Sequence, residues 1–210
     1  MPSSSKDSAR AKGARRDTRS ELLAAGAICL RRDGYADLST RRIAETAGVP
    51  LSQIHYHFGS KERFVLALLD HLNERLLKRQ AAAFAAPMPL WRRWEQACNF
   101  LDDDMASGYV RVLHEMIAVS WSNPEIAKAV RGSLRGWFEL LAGLAEEASR
   151  RFGGLGRFSP AEIASLAGAA FLGSETMLLL DIESRHVPVR QALRRFGEVI
   201  RQIEEAGPKA

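Results

Sequence analysis

The sequence predicts an all-α chain, and three observations carry that prediction. Apolar residues recur at intervals of three and four through most of the chain. No strand-like alternation of useful length occurs. Helix start and stop signals punctuate it at regular distances, among them Asn123-Pro124-Glu125, Ser159-Pro160-Ala161-Glu162 and the stop at Gly48-Val49-Pro50.

Residues 1–16 are Ser-rich, basic and nearly free of large apolar groups, so they read as a flexible arm. Order is expected from near Thr18, where Thr18 and Glu21 have capping-box spacing ahead of Leu22, Leu23, Gly26, Ala27 and Leu30. This first helix should end near Gly34. Ser39 or Thr40 can cap a short second helix with Ile43, Ala44 and Ala47 on its apolar face. Gly48 and Pro50 stop it, and Ser52 to Phe58 makes about two turns, with Ile54 and Phe58 one turn apart. Gly59 ends that piece. Ser60 caps a longer helix carrying Val65, Leu68, Leu69, Leu72 and Leu76, which frays through Ala81 to Pro89.

The remainder also reads as helix. Segments are expected over Pro89 to Ala106, Tyr109 to Trp121, Pro124 to Phe152, Pro160 to about Glu183, and from Pro188 onward. The total is about nine helices, four near the N-terminus and five after it. The domains expected are 1–16, an arm; 17–64, a small helical domain; and 65–210, a larger one.

Composition narrows the class. The chain has 210 residues, 46% hydrophobic and 26% charged, as a globular protein does. Cys29 and Cys98 make no disulfide framework and suit a reducing compartment. The most apolar stretch, Ala161 to Ile182, holds Glu162, Glu175 and Asp181, so a membrane span is not expected. Met1 to Arg19 lacks the apolar core of a secretory signal, and a cytoplasmic location is expected. Positive charge is uneven. Residues 1–80 hold 15 Lys+Arg and 9 Asp+Glu, a net of +6, while residues 81–210 hold 15 and 16, a net of −1. The asymmetry points to a polyanion partner for the first part. A basic tail is the alternative, since residues 1–19 alone carry +4.

Residues 39–58 carry the functional signal. A short helix, a glycine turn and a second short helix make a helix-turn-helix. Its apolar residues can lock the two helices, leaving Ser52, Gln53, His55 and Tyr56 on the other side with no acid among them. Gln53 suits an adenine edge, Ser52 a base or phosphate, and His55 and Tyr56 phosphate oxygens. Arg41, Arg42 and Lys61 flank the unit and suit the DNA backbone. The second helix's N-terminal amides are expected to be open to a phosphate.

The stretches Thr40-Arg41-Arg42-Ile43-Ala44-Glu45-Thr46-Ala47-Gly48-Val49 and Ile54-His55-Tyr56-His57-Phe58-Gly59-Ser60-Lys61-Glu62 resemble the DNA-binding domain of TetR-family transcriptional regulators. The match is close over residues 18–65. The resemblance implies an N-terminal three-helix helix-turn-helix domain joined by a linking helix to a C-terminal helical ligand-binding and dimerisation domain. It also implies a homodimeric regulator on a double-stranded DNA operator, a repressor released by a small-molecule effector. Thr40 matches the family's capping Thr and Lys61 its phosphate-contacting Lys. Ser52 stands where the family often has Gly, and His55 where it often has a phosphate-touching Tyr, so that contact passes to His55 or Tyr56.

Support for the dimer comes from the last helix, whose apolar residues include Leu193, Phe196, Ile200 and Ile203 at alternating spacings of four and three. The preceding helix offers Ile163 and small residues at Gly168 and Gly173 for close approach. Two recognition helices in such a dimer would reach major grooves about 34 Å apart or more. Candidates to orient a ligand are Asn99, His114, Glu115 and Glu175, with Trp121, Trp137 and Phe171 as aromatic walls. Asp102-Asp103-Asp104 reads as a solvated helix end.

No catalytic constellation, metal site or cofactor cradle is expected. His114-Glu115 begins a zinc-protease pattern, but Ala118 stands where the second ligand belongs. His55 and His57 point to different sides of a helix. Gly153 to Gly156 lacks a preceding strand and reads as a loop. The alternatives are a helical protein without DNA binding, serving as a small-molecule or interaction module, and, further off, a helical enzyme.

Overall fold

The structure, a computed structural model, describes residues 4–34 and 37–207, with side chains from Thr18 onward. Among the described residues nine helices occur: α1 (Ser4–Asp33), α2 (Thr40–Ala47), α3 (Ser52–Phe58), α4 (Lys61–Ala85), α5 (Leu90–Ser107), α6 (Tyr109–Ser120), α7 (Pro124–Phe152), α8 (Pro160–Leu179) and α9 (Val189–Ala206). None is long and apolar enough to cross a membrane.

The backbone of α1 is helical from Ser4, well ahead of the expected start near Thr18. Ala9, Arg10, Ala11, Lys12, Ala14, Arg15 and Arg16 are strong helix formers, and propensity sustains a helix where burial is not required. Residues 1–3 of the expected arm, and the side chains of the rest of it, lie outside the described residues. The first compact unit runs to Leu72, inside α4. The reason is packing. Phe64 and Leu68, both fully buried, lie against Gly26 of α1, where a Cβ would stand 2.6 Å from Phe64 Cζ.

In this unit Leu22, Leu23, Ile43, Ile54 and Phe64 form a core with almost no exposure. Phe58 meets Phe64 edge to face at 4.9 Å. Gly48 takes the left-handed conformation (φ 68°), and two amides close the turn, Gly48 N on Glu45 O at 3.1 Å and Val49 N on Ala44 O at 3.0 Å. That pair is the Schellman pattern, which satisfies the last carbonyls of α2 and turns the chain sharply into α3.

The second unit, from Asn73 on, packs α7 between α6 and α8, and α5 against α6 and α9. The expected start signals hold. Asn123 Oδ1 accepts from Glu125 N and Ile126 N, and Ser159 and Glu162 form a full capping box. α8 ends at Leu179, short of the expected Glu183, because Asp181 turns into the left-handed region (φ 53°). Glycines permit three close helix approaches: a Cβ on Gly168 would overlap the Phe138 ring, one on Gly136 would stand 2.8 Å from Leu77 Cδ1, and one on Gly197 would meet Trp94 Cδ1 at 3.0 Å.

Candidate nucleic-acid interface and inner cavity

The interface in the first unit is built by α3. Ile54 and Phe58 are buried, so helical geometry turns Ser52, His55 and Tyr56 outward, and all three are exposed. Gln53 is half-buried beside them. His55 Nδ1 lies 3.2 Å from Gly59 O, which ties the ring to its own helix end. Tyr56 and His57 meet edge to face at 5.1 Å. Two of the amides at the start of α3 are in use: Gln53 N bonds Pro50 O at 3.0 Å and Ile54 N bonds Leu51 O at 3.1 Å. The tight turn bends its own carbonyls back onto them.

The flanking cations divide into two kinds. Arg41 is exposed and reaches Glu45 at 3.0 Å, a solvent-facing pair of little energetic weight. Arg42 bonds Asp33 at the end of α1 at 3.1 Å, while Arg32 holds the same carboxylate at 2.8 Å. The hydrogen bond from Arg32, aided by Arg42, holds the Asp33 carboxyl down at about 2. Arg42 thus fastens α2 to α1 with one face and keeps half its side chain in solvent. Thr40 is the first residue of α2; Ser39 occupies the cap position in extended conformation, and neither makes a side-chain cap bond. Lys61 opens α4, half-buried, next to Ser60, whose Oγ accepts from Arg63 N at 3.2 Å.

The second unit encloses a cavity of about 40 Å³ lined from α4 through α8. Of the predicted ligand residues, Trp137, Phe171 and Glu175 line it. His114 stands just behind, with Nε2 2.9 Å from Glu175 Oε2. The other three are elsewhere. Asn99 accepts from Arg194 at 3.0 Å on the surface, and Trp121, at 83% exposed, ends α6 in solvent. Glu115 pairs loosely with Arg111 at 3.6 Å, and burial raises its pKa.

Four polar residues that sequence reasoning did not single out also line the cavity, Asn73, Gln80, Tyr109 and Ser133, and Asp104 joins them. Tyr109 donates to Asn73 Oδ1 at 3.0 Å. Asp104 is buried and accepts from Arg79 at 2.6 Å, and burial pushes it up to about 6 despite that arginine. The run of three acids is thus no solvated helix end. Successive residues turn about 100° on a helix, so Asp104 faces inward while Asp102 pairs with Arg190 and Arg194 outside.

The predicted dimer residues separate likewise. Ile163, Leu193, Phe196, Ile200 and Ile203 line a wide apolar groove of about 810 Å³ between α8 and α9. Gly168 is buried against Phe138 within the same unit, so its small size serves α7–α8 packing, and Gly173 has open space around it. Among the described residues no group of three His, Cys, Asp or Glu is placed to hold a metal.

These features define a helix-turn-helix protein whose larger helical unit carries a cavity and an apolar outer face. Residues 22–68 match the model for bacterial regulatory proteins of the tetR family. Comparison with curated proteins returns no match. Solved structures with the same fold include a putative transcriptional regulator from Saccharomonospora viridis in complex with choline. It is 23% identical over 87% of this chain and 96% of that one, with a TM-score of 0.72. A TetR transcription regulator from Haloarcula marismortui is 18% identical over 92% and 100%, with a TM-score of 0.73. The regulator FadR from Bacillus subtilis in complex with stearoyl-CoA is 14% identical over 84% and 96%, with a TM-score of 0.67.

Proposed function

We propose that this chain acts in the cytoplasm as a homodimeric repressor that a small molecule releases from its operator. The observation that carries the reading is the outward face of α3, where Ser52, His55 and Tyr56 project from a helix locked by Ile54 and Phe58. Gln53 and the flanking Thr40, Arg41, Arg42 and Lys61 complete a surface of donors suited to phosphates and base edges. Phosphate contacts supply affinity, and the few base contacts supply sequence choice. The apolar α8 and α9 faces receive the same faces of a second copy. The cavity and the neighbours solved with choline and with stearoyl-CoA support a sensor role for the second unit. α4 carries both Lys61 and the cavity residues Asn73 and Gln80, so a ligand that favours one position of this helix alters the operator fit.

The test starts by selecting a bound duplex from random DNA. Tyr56→Ala and Lys61→Ala should each weaken binding to that duplex while the hydrodynamic size of the protein is unchanged. Lys61→Ala should also lower the salt slope by about one counterion. Parental affinity in both variants across a range of salt would remove this assignment.

A further inference from the structure

We propose that the inner cavity of the second unit is a seat for the head of an organic ammonium ion. The inference rests on the sensor reading above and names the ligand's chemistry.

Charge is the first ground. Asp104 and Glu175 line the cavity, and no Lys, Arg or His is among the residues that line it. Each carboxylate has one partner standing behind the wall, Arg79 at 2.6 Å and His114 at 2.9 Å. The Tyr109 phenol lies in the field of both acids: its pKa is raised by burial first, then by Glu175 and Asp104. A carboxylate or phosphate ligand would enter against that field with no cation on the wall to meet it.

Unsatisfied hydrogen bonding is the second ground, and it is independent. Gln80 and Ser133 are 6% and 5% exposed, and Gln80 Oε1 and Ser133 Oγ have no hydrogen-bond partner. A buried amide oxygen without a donor has lost its hydrogen bonds to water and gained none in return. An amide oxygen only accepts, so its missing partner must donate. A wholly apolar ligand would leave that deficit in place, whereas an N–H or ammonium group removes it.

The walls and the size complete the case. Tyr109, Trp137 and Phe171 line the cavity together with the two acids, and the faces of aromatic rings attract cations. The volume of about 40 Å³ admits a compact head and little more.

The experiment uses the full chain and four probes that hold shape while changing charge: n-butylammonium, tetramethylammonium, n-butanol and butyrate. Calorimetric titration and thermal melting should show n-butylammonium binding and stabilising. The alcohol should bind about tenfold more weakly, and butyrate should give no signal. Glu175→Gln should reduce ammonium affinity about tenfold or more. Ser133→Ala removes a hydroxyl at little packing cost; it should weaken n-butylammonium and leave tetramethylammonium, which donates no N–H, unaffected. Butyrate or butanol binding as tightly as the ammonium overturns the cation seat and leaves the sensor reading standing. So does full ammonium affinity in a folded Glu175→Gln protein. If no probe binds, the cation seat falls; if, in addition, no compound of a wider charge-balanced set frees the selected duplex, the sensor reading falls with it.

Discussion

At the scale of single residues, stability depends on a few positions where the particular residue matters. Gly26 is one, because any Cβ there would strike Phe64 Cζ at 2.6 Å in a fully buried contact. Overpacking of this kind costs about 1–3 kcal/mol. Gly26→Ala should therefore lower the urea midpoint measurably, with the slope of unfolding unchanged. Asp104 is another such position, through its proton. Its pKa is raised to about 6 by burial, against an unfolded value of about 4. Between those values the native chain holds a proton that the unfolded chain has released. Asp104's contribution to stability is therefore complete below pH about 4 and is lost as pH rises through about 6. Urea titrations across this window should show the parent losing stability relative to Asp104→Asn as pH increases. A constant difference between the two would mean that Asp104 does not titrate there. Neither property is visible in sequence. Gly26 looks like any small residue on a helix, and Asp104 like one of three equivalent acids.

At the scale of elements, local signals were legible because capping is local chemistry. Asn123-Pro124-Glu125 and Ser159-Pro160-Ala161-Glu162 start α7 and α8 where expected, since each motif closes hydrogen bonds within a few residues of itself. Asn123→Ala removes the acceptor of two α7 amides and should cost about 0.5–2 kcal/mol, read as a lower melting temperature. The helix-turn-helix was legible for a related reason. Its Gly48 turn and the one-turn spacing of Ile54 and Phe58 are both short-range features. What escaped was the end of α8, which depends on Asp181 taking a left-handed backbone, and the state of the α3 amides, which the turn's own carbonyls occupy. Those depend on backbone geometry that residue types alone leave open.

At the scale of the whole molecule, the apolar face of α8 and α9 is the feature that a lone chain leaves unexplained. Leu166, Phe196 and Ile203 are each more than half exposed. A monomer rarely displays so continuous an apolar surface without a partner for it. Leu166→Arg combined with Ile203→Arg places two charges on that face and touches no buried side chain. Sedimentation should show the variant as a monomer with unchanged helical content, and with weaker hold on a two-site operator than the parent. A variant that sediments like the parent would locate the interface elsewhere.

The sequence by itself determined the helical class, the order of the elements, the helix-turn-helix with its outward polar set, and the uneven charge between the two parts of the chain. Each of these follows from interactions between near neighbours or from composition. Only the tertiary structure decided which polar groups share the inner cavity. Gln80, Asp104, Tyr109, Ser133 and Glu175 come from five different helices and are far apart in the chain. Their meeting depends on how α4 through α8 pack. Packing turns on side-chain volume at distant contacts, such as Gly168 on Phe138 and Gly136 on Leu77, and a linear reading does not encode those partners.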